Sequence, residues 1–199
     1  MKKELETLAI DIDEVLLDTL RSFLEVYNRN NETDFKREDF YDYIWQDILR
    51  ISREQAIHEF YEFMQSKEGL EMPQIPGAKN ALDELKLRYK LVSATNRSED
   101  FREVTLEQLK LNFQDAIPPN LVYFGNHYSR NGNNKSKADL LKESGATRLI
   151  EDQYPVALEC ASRGIQVYML DSPWNQKQIP INLPIIRVYD WTHILEELS

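Results

Sequence analysis

A chain of 199 residues can fill one good core, or a core with a small second lobe. Its 42% hydrophobic and 29% charged residues read as soluble and globular, and 24 Lys+Arg against 34 Asp+Glu leave a net charge of −10. That balance argues against a nucleic-acid polymer or an anionic membrane surface as partner, because both need basic patches, and leaves a small anionic substrate open. The segment "TLAIDI" is short and β-rich and reads as a first strand. From Thr19 to about Lys67 the pattern turns helical, in "TLRSFLEVYNRN", "REDFYDYIWQDIL" and "SREQAIHEFYEFMQ", the last with Ser52 as N-cap and Gln55 three residues on. "EMPQIPGAKN" then marks a hinge.

After the hinge, helices and strands alternate. The helix "GAKNALDELKLR" leads into the strand "YKLVSAT", "EDFREVTLEQL" into "NLVYFG", "SKADLLKES" into "TRLIED", and "PVALECASR" into "IQVYMLD"; "PIIRVY" and a helix from Trp191 follow. Helices alternating with near-continuous apolar strands imply a parallel sheet covered on both faces. The expected fold is therefore α/β, a Rossmann-like three-layer core with a small helical insert after the first strand. Residues 1–16 and 76–199 are expected to form the core and residues 17–75 the insert. Cys160 is alone, and the opening "MKKELETLAIDID" has no apolar leader, so a reducing, cytoplasmic location is expected. No apolar run approaches the length of a membrane helix. Nothing in the pattern suggests self-association, so a monomer is expected.

Ligands in open parallel sheets sit beyond the carboxyl ends of the strands. The first strand ends in Asp11 and Asp13, with Glu14 behind them; the next ends in Ser93, Thr95, Asn96 and Arg97; the fourth ends in Glu151 and Asp152. Two carboxylates at ~4 Å and an effective dielectric of ~20 disfavour each other by roughly 4 kcal/mol. Such a cluster is tolerable when solvated, or when a divalent cation sits in it. Phosphoryl transfer suits this set. One carboxylate attacks phosphorus and a second, two residues on, handles the proton. Mg²⁺ neutralises both sides, and a hydroxyl, backbone amides and a lysine hold the phosphoryl oxygens.

Asp-x-Asp after the first strand, Thr after the second, a Lys and then an acidic pair resemble the haloacid dehalogenase superfamily of hydrolases, mostly phosphatases. "IPGAKNALDELKLRYKLVSATNR", "KADLLKESGA" and "LIEDQYPVALECASRGIQVYMLDSPWN" look most like its branch of nucleotidases related to cytosolic deoxyribonucleotidases. The resemblance implies Asp11 as nucleophile and Asp13 as general acid/base. It implies Mg²⁺ held by Asp11, the Asp13 carbonyl and Asp152, and a phosphoryl group bound by Thr95 with the Asn96 amide beside it. Two lysines fit, Lys137 in "KADLLKE" and Lys135 in "Lys-Ser", with Lys137 preferred. The insert takes the place of a cap domain. The implied function is Mg²⁺-dependent hydrolysis of a small phosphate ester, expected to be a (deoxy)nucleoside monophosphate.

Glu14 stands where many members of that superfamily have Gly, which puts negative charge beside the expected leaving group. Isolated Asp-x-Asp pairs are more often solvated strand ends, and Thr95 and Asn96 also suit a helix cap. Arg97, Phe23 and Tyr27 are further substrate candidates. The two rings share a helix face near the first strand, although packing of the insert is the commoner use of such rings. Other readings stay open: a phosphatase of another ester, dehalogenation or transfer to another acceptor, a phosphorylation-dependent receiver, and a non-catalytic relative that only binds phosphate.

Overall fold

The computed structural model describes residues 5–127 and 134–199. Among them, six parallel strands form one sheet in the order β3-β2-β1-β4-β5-β6. These are β1 (Glu6–Ile10), β2 (Tyr89–Thr95), β3 (Val122–Phe124), β4 (Arg148–Glu151), β5 (Gln166–Leu170) and β6 (Ile185–Val188). β1 lies between β2 and β4, with Ile10 opposite Ser93 on one side and Ile150 on the other. Strand order reverses at β1, so the carboxyl ends of β1, β2 and β4 share one edge at the switch point.

The strands alternate their side chains between two cores, as a pleated strand must. Leu8 and Ile10 pack with α5 (Ala78–Leu85), α6 (Arg102–Phe113) and α9 (Trp191–Glu197) on one face. Ala9 packs with α7 (Lys137–Ser144) and α8 (Tyr154–Ser162) on the other. The α7 boundaries follow the sequence signals: Ser136 accepts from the Asp139 amide at the start, and Gly145 takes φ 72° at the end. Among the described residues, no helix is long and apolar enough to cross a membrane.

Between β1 and α5 come α1 (Thr19–Asn31), α2 (Trp45–Leu49), α3 (Arg53–Gln65) and α4 (Lys67–Leu70). Their apolar residues build a third cluster, completed by Phe101 and Trp174 from the sheet side. The helix expected over "REDFYDYIWQDIL" is broken. A 3-10 turn covers Arg37–Asp39, an irregular link spans 40–44, and only Trp45–Leu49 is α-helical. Asp42 accepts from the Ile44 amide at 3.1 Å, a local turn that competes with helix.

Phe23 and Tyr27 do not line the cleft above the sheet; both are buried in the third cluster. The Phe23 ring lies 5.5 Å from Tyr27, 5.1 Å from Trp45 and 5.6 Å from Phe63. Their shared helix face was a core face. Phe23→Ala is therefore expected to lower the unfolding free energy by about 3–5 kcal/mol, read as a reduced urea midpoint, and Phe23→Leu to recover most of it.

Candidate active site

Asp11 directly follows β1 and is buried. Its amide donates to the Ile150 carbonyl at 3.0 Å, and its Oδ1 accepts from the Ile12 amide at 2.8 Å. Its Oδ2 lies 2.8 Å from Lys137 Nζ. Lys137 opens α7 just inside the Ser136 cap, which turns its side chain under the sheet edge. The same ammonium donates to Glu151 Oε2 at 2.7 Å. The other Glu151 oxygen accepts from the Asp152 and Gln153 amides at 3.1 and 3.0 Å.

Asp152 ends this group. Its Oδ2 accepts from the Trp174 indole at 2.7 Å, while its Oδ1 is buried and has no hydrogen-bond partner among the described residues. Asn175 donates to both the Asp152 and Leu170 carbonyls at 2.7 Å, fixing the backbone below. Trp174 and Asn175 stood out in the sequence without a role; the structure gives them this one.

Burial is the largest force on these acids. Burial, then the Glu151 charge, pushes the Asp11 carboxyl well above the usual range, with Lys137 pulling the other way. Burial and the charges of Glu151, Asp11 and Glu14 do the same to Asp152. Burial alone would lower the Lys137 pKa, but attraction to Asp11 and Glu151 outweighs it and raises it. One ammonium thus contacts two carboxylates, Asp11 and Glu151, and Asp152 adds a third beside them. Oxygens of Asp11, Glu151 and Asp152 all lie within 4.8 Å of one another. Hard oxygen donors, excess negative charge and the unpartnered Asp152 Oδ1 fit a small divalent cation.

Asp13 sits beside this group but faces away from it. Arg97 grips its carboxylate through Nε at 3.0 Å and an Nη at 2.7 Å, and the Thr19 hydroxyl donates at 2.6 Å. Burial pushes the Asp13 carboxyl up, but the Arg97 charge and the bonds from Arg97 and Thr19 outweigh it and hold it below the usual range. Thr95 ends β2, fully buried, with its hydroxyl oxygen accepting from the Arg97 amide at 3.2 Å. Asn96 lines the cleft, and its Oδ1 is also without a partner among the described residues.

Three expectations are corrected. Lys135 is not in the site: it is half-exposed and its Nζ pairs with Glu143 at 2.8 Å. Arg97 reaches the cleft, but its guanidinium is engaged by Asp13, by Thr105 at 3.0 Å and by Gln108 at 2.6 Å, which leaves little to offer a substrate. Glu14 lines the cleft, but its carboxylate is not free there. Its oxygens accept from the Leu20 amide at 2.6 Å and from Arg37.

On the insert side the cleft is lined by Tyr43, Trp45, Gln46, Arg53, Ile57, Phe60 and Tyr61, with Phe101 from the core. The sequence showed an aromatic-rich insert but not which rings face the acids. Arg37 carried no sequence signal at all.

A parallel sheet with its acids at the β1 switch point and a helical insert after β1 is a fold shared with haloacid dehalogenase-like hydrolases. Solved structures bear out the fold. The haloacid dehalogenase-like family protein SP0104 of Streptococcus pneumoniae superposes with a TM-score of 0.70 at 14% identity, over 98% of this chain and 99% of that one. The HAD-hydrolase YfnB of Bacillus subtilis, bound to magnesium, gives 0.63 at 13% identity over 99% and 100%. Within that class, residues 5–144 match the family described as 5' nucleotidase, deoxy (pyrimidine), cytosolic type C protein, and the chain belongs to it. A nucleotidase of Clostridium acetobutylicum is 27% identical over 188 residues, 94% of this chain and 90% of that relative. The family makes this a phosphomonoester hydrolase of the nucleotidase branch.

The buried acids set a pH dependence. Burial, partly offset by Arg37, raises Glu14 from 4.5 to about 7. A native acid with a raised pKa keeps a proton that the unfolded chain has lost. Stability therefore falls as pH rises from about 4.5 to about 7 and is flat above. Asp11 and Asp152 act in the same direction. In chelator, the urea midpoint is expected to drop between pH 5 and pH 8. Glu14→Gln should flatten that slope by up to about 3 kcal/mol.

Proposed function

We propose that this chain hydrolyses nucleoside monophosphates through a phosphorylated Asp11, with Mg²⁺ at the acid cluster. The observation that carries the reading is the buried group itself: three carboxylates around one lysine, with Asp152 Oδ1 unpartnered. Such a surplus of buried negative charge is relieved by protonation, which the raised Asp11 and Asp152 carboxyls allow, or by a cation, and the unpartnered Asp152 Oδ1 favours the cation. Mg²⁺ would be held by Asp11, Asp152 and the Asp13 carbonyl, and supplies the positive charge that lets a carboxylate meet a phosphate dianion.

In the first step an Asp11 carboxylate oxygen forms a bond to phosphorus as the bond from phosphorus to the ester oxygen breaks. Asp13, protonated once it leaves the Arg97 charge that holds its carboxyl low, hands that proton to the departing nucleoside oxygen. In the second, water attacks the same phosphorus and the bond to Asp11 breaks. Asp13 takes the water's proton, inorganic phosphate leaves, and Asp11 is regenerated. Asp13 already lines the cleft, and it must loosen its bonds to Arg97 and Thr19 to do this. Lys137 steadies the Asp11 charge, and the Thr95 hydroxyl and Asn96 amide receive phosphoryl oxygens.

The aromatic wall of the insert suits a nucleobase, because every base offers a π-face, and membership in a nucleotidase family supports that substrate class. In this reading residues 17–75 act as a cap that excludes water from the reacting phosphate. Glu14, its oxygens taken by the Leu20 amide and Arg37, gives no reason to read the chain as a silent relative. A reducing, cytoplasmic setting suits the buried Cys160 thiol.

Phosphate release from a nucleoside monophosphate panel, with Mg²⁺ and with chelator, tests the proposal. Repeated turnover is expected with Mg²⁺ alone, and none with Asp11→Asn. Lys137→Met is expected to lower kcat by about 10²–10³-fold, while Lys135→Met stays within twofold. No release from any nucleotide would overturn the reading. Trp45→Ala tests the wall separately. KM for nucleotides should rise by about 5–150-fold, the range for one stacked base, with KM for a small phosphate ester unchanged.

A further inference from the structure

Glu14 occupies a backbone position with φ 62°. That conformation costs an L-residue, and glycine adopts it freely. The site is also buried, which is unfavourable for a carboxylate. A side chain kept there against both costs has contacts that offset them. One Glu14 oxygen accepts from the Leu20 amide in the first turn of α1, and the other from Arg37, in the 3-10 turn of the insert. The Arg37 guanidinium in turn lies over the Trp174 ring, 4.7 Å from its centroid. The indole N–H of Trp174 donates to Asp152. A continuous path therefore runs from the loop carrying Asp11 and Asp13, through Glu14, Arg37 and Trp174, to the carboxylate after β4.

We propose that Arg37 is a positioning residue for the cation site: it clamps the Asp11–Glu14 loop to the Trp174 loop, so that seating of the insert and orientation of Asp152 depend on each other. Arg37 touches neither a reacting atom nor a proposed metal ligand; the Nη that bonds to Glu14 also pairs with Asp18 at 3.9 Å. It acts through the two residues it joins. Without it, Glu14 is left buried with no cation, the Trp174 ring loses its cover, and the indole that fixes one Asp152 oxygen is free to shift. Arg suits the task better than Lys because its planar guanidinium can bond to a carboxylate edge-on while stacking on a ring. Coupling of this kind is reciprocal: if the seated insert favours the cation, the cation favours the seated insert.

The clamp's effect on the cation rests on the Mg²⁺ reading above; its effect on the two loops does not, and the experiment separates them. Mg²⁺ is titrated calorimetrically into substrate-free wild type, Arg37→Met, Arg37→Lys, Trp174→Phe and the Arg37→Met/Trp174→Phe double variant. Amide hydrogen exchange is followed in the same proteins without metal. Arg37→Met should weaken Mg²⁺ binding by about 10–100-fold, the usual effect of losing a group that orients a ligand. Arg37→Lys should recover part of this. The double variant should be no worse than the weaker single, because both changes break one path. Exchange at residues 36–40 and at 172–176 should quicken together in Arg37→Met. Mg²⁺ affinity within twofold of wild type in Arg37→Met, or losses that simply add in the double variant, would overturn the clamp. So would fast exchange at 36–40 with 172–176 unchanged. If wild type itself binds no Mg²⁺, the metal reading fails, and paired or unpaired exchange still decides whether the loops are clamped. Should Arg37→Met not fold, Arg37→Lys and Trp174→Phe carry the same comparison.

Discussion

Three carboxylates are buried around a single ammonium at the carboxyl edge of the sheet, and the surrounding contacts are arranged to make that possible. Each acid has a separate anchor. Asp11 is held by the Ile12 amide, Glu151 by two amides of its own loop, and Asp152 by the Trp174 indole. Lys137 then bridges Asp11 and Glu151. Its place at the first turn of α7 is unfavourable for a cation, since helix N-termini favour negative charge. The two carboxylates outweigh that effect in the dry interior. Anchored in this way, the acids need little rearrangement to receive a cation or a phosphoryl group, which is the sense in which an active site is preorganised.

The anchors do not stop at the sheet. Arg97 holds Asp13 and is itself held by Gln108, whose amide donates to the Gly69 carbonyl in α4. Gly69 is there because a Cβ would come within 2.1 Å of the Phe63 carbonyl oxygen, so α3 and α4 meet at backbone contact. On the opposite side, Arg37 connects Glu14 with Trp174. Asp13 and Asp152 are thus both supported by residues of the insert. A substrate that reseats the insert would act on both acids at once, through side chains it never touches.

The sheet and its edge were legible because buried parallel strands leave a strong mark: apolar runs ending abruptly in Asp11, Thr95 and Glu151–Asp152. The choice between Lys135 and Lys137 turned on one residue. Ser136 caps α7, so Lys137 enters the helix facing the sheet while Lys135 remains in the preceding loop beside Glu143. The insert was far less legible. Its rings are spread around several short helices, and the i,i+4 spacing of Phe23 and Tyr27 identifies a face without saying what covers it. The break at Asp42 also hid which rings turn toward the acids.

Glu14 shows why a departure from a family pattern is a poor guide to chemistry until its side chain is placed. Read in sequence, it adds a third acid beside a leaving group and speaks against catalysis. In three dimensions Glu14 takes a left-handed backbone, and its buried carboxylate bonds to the first turn of α1 and to Arg37. A glycine would satisfy the backbone there and connect nothing. An acid at the same position carries strain and burial, yet links the Asp11–Glu14 loop to the insert. The charge that looked like interference with phosphate chemistry borders the cleft and is felt at Asp152, and the guanidinium beside it offsets it in part.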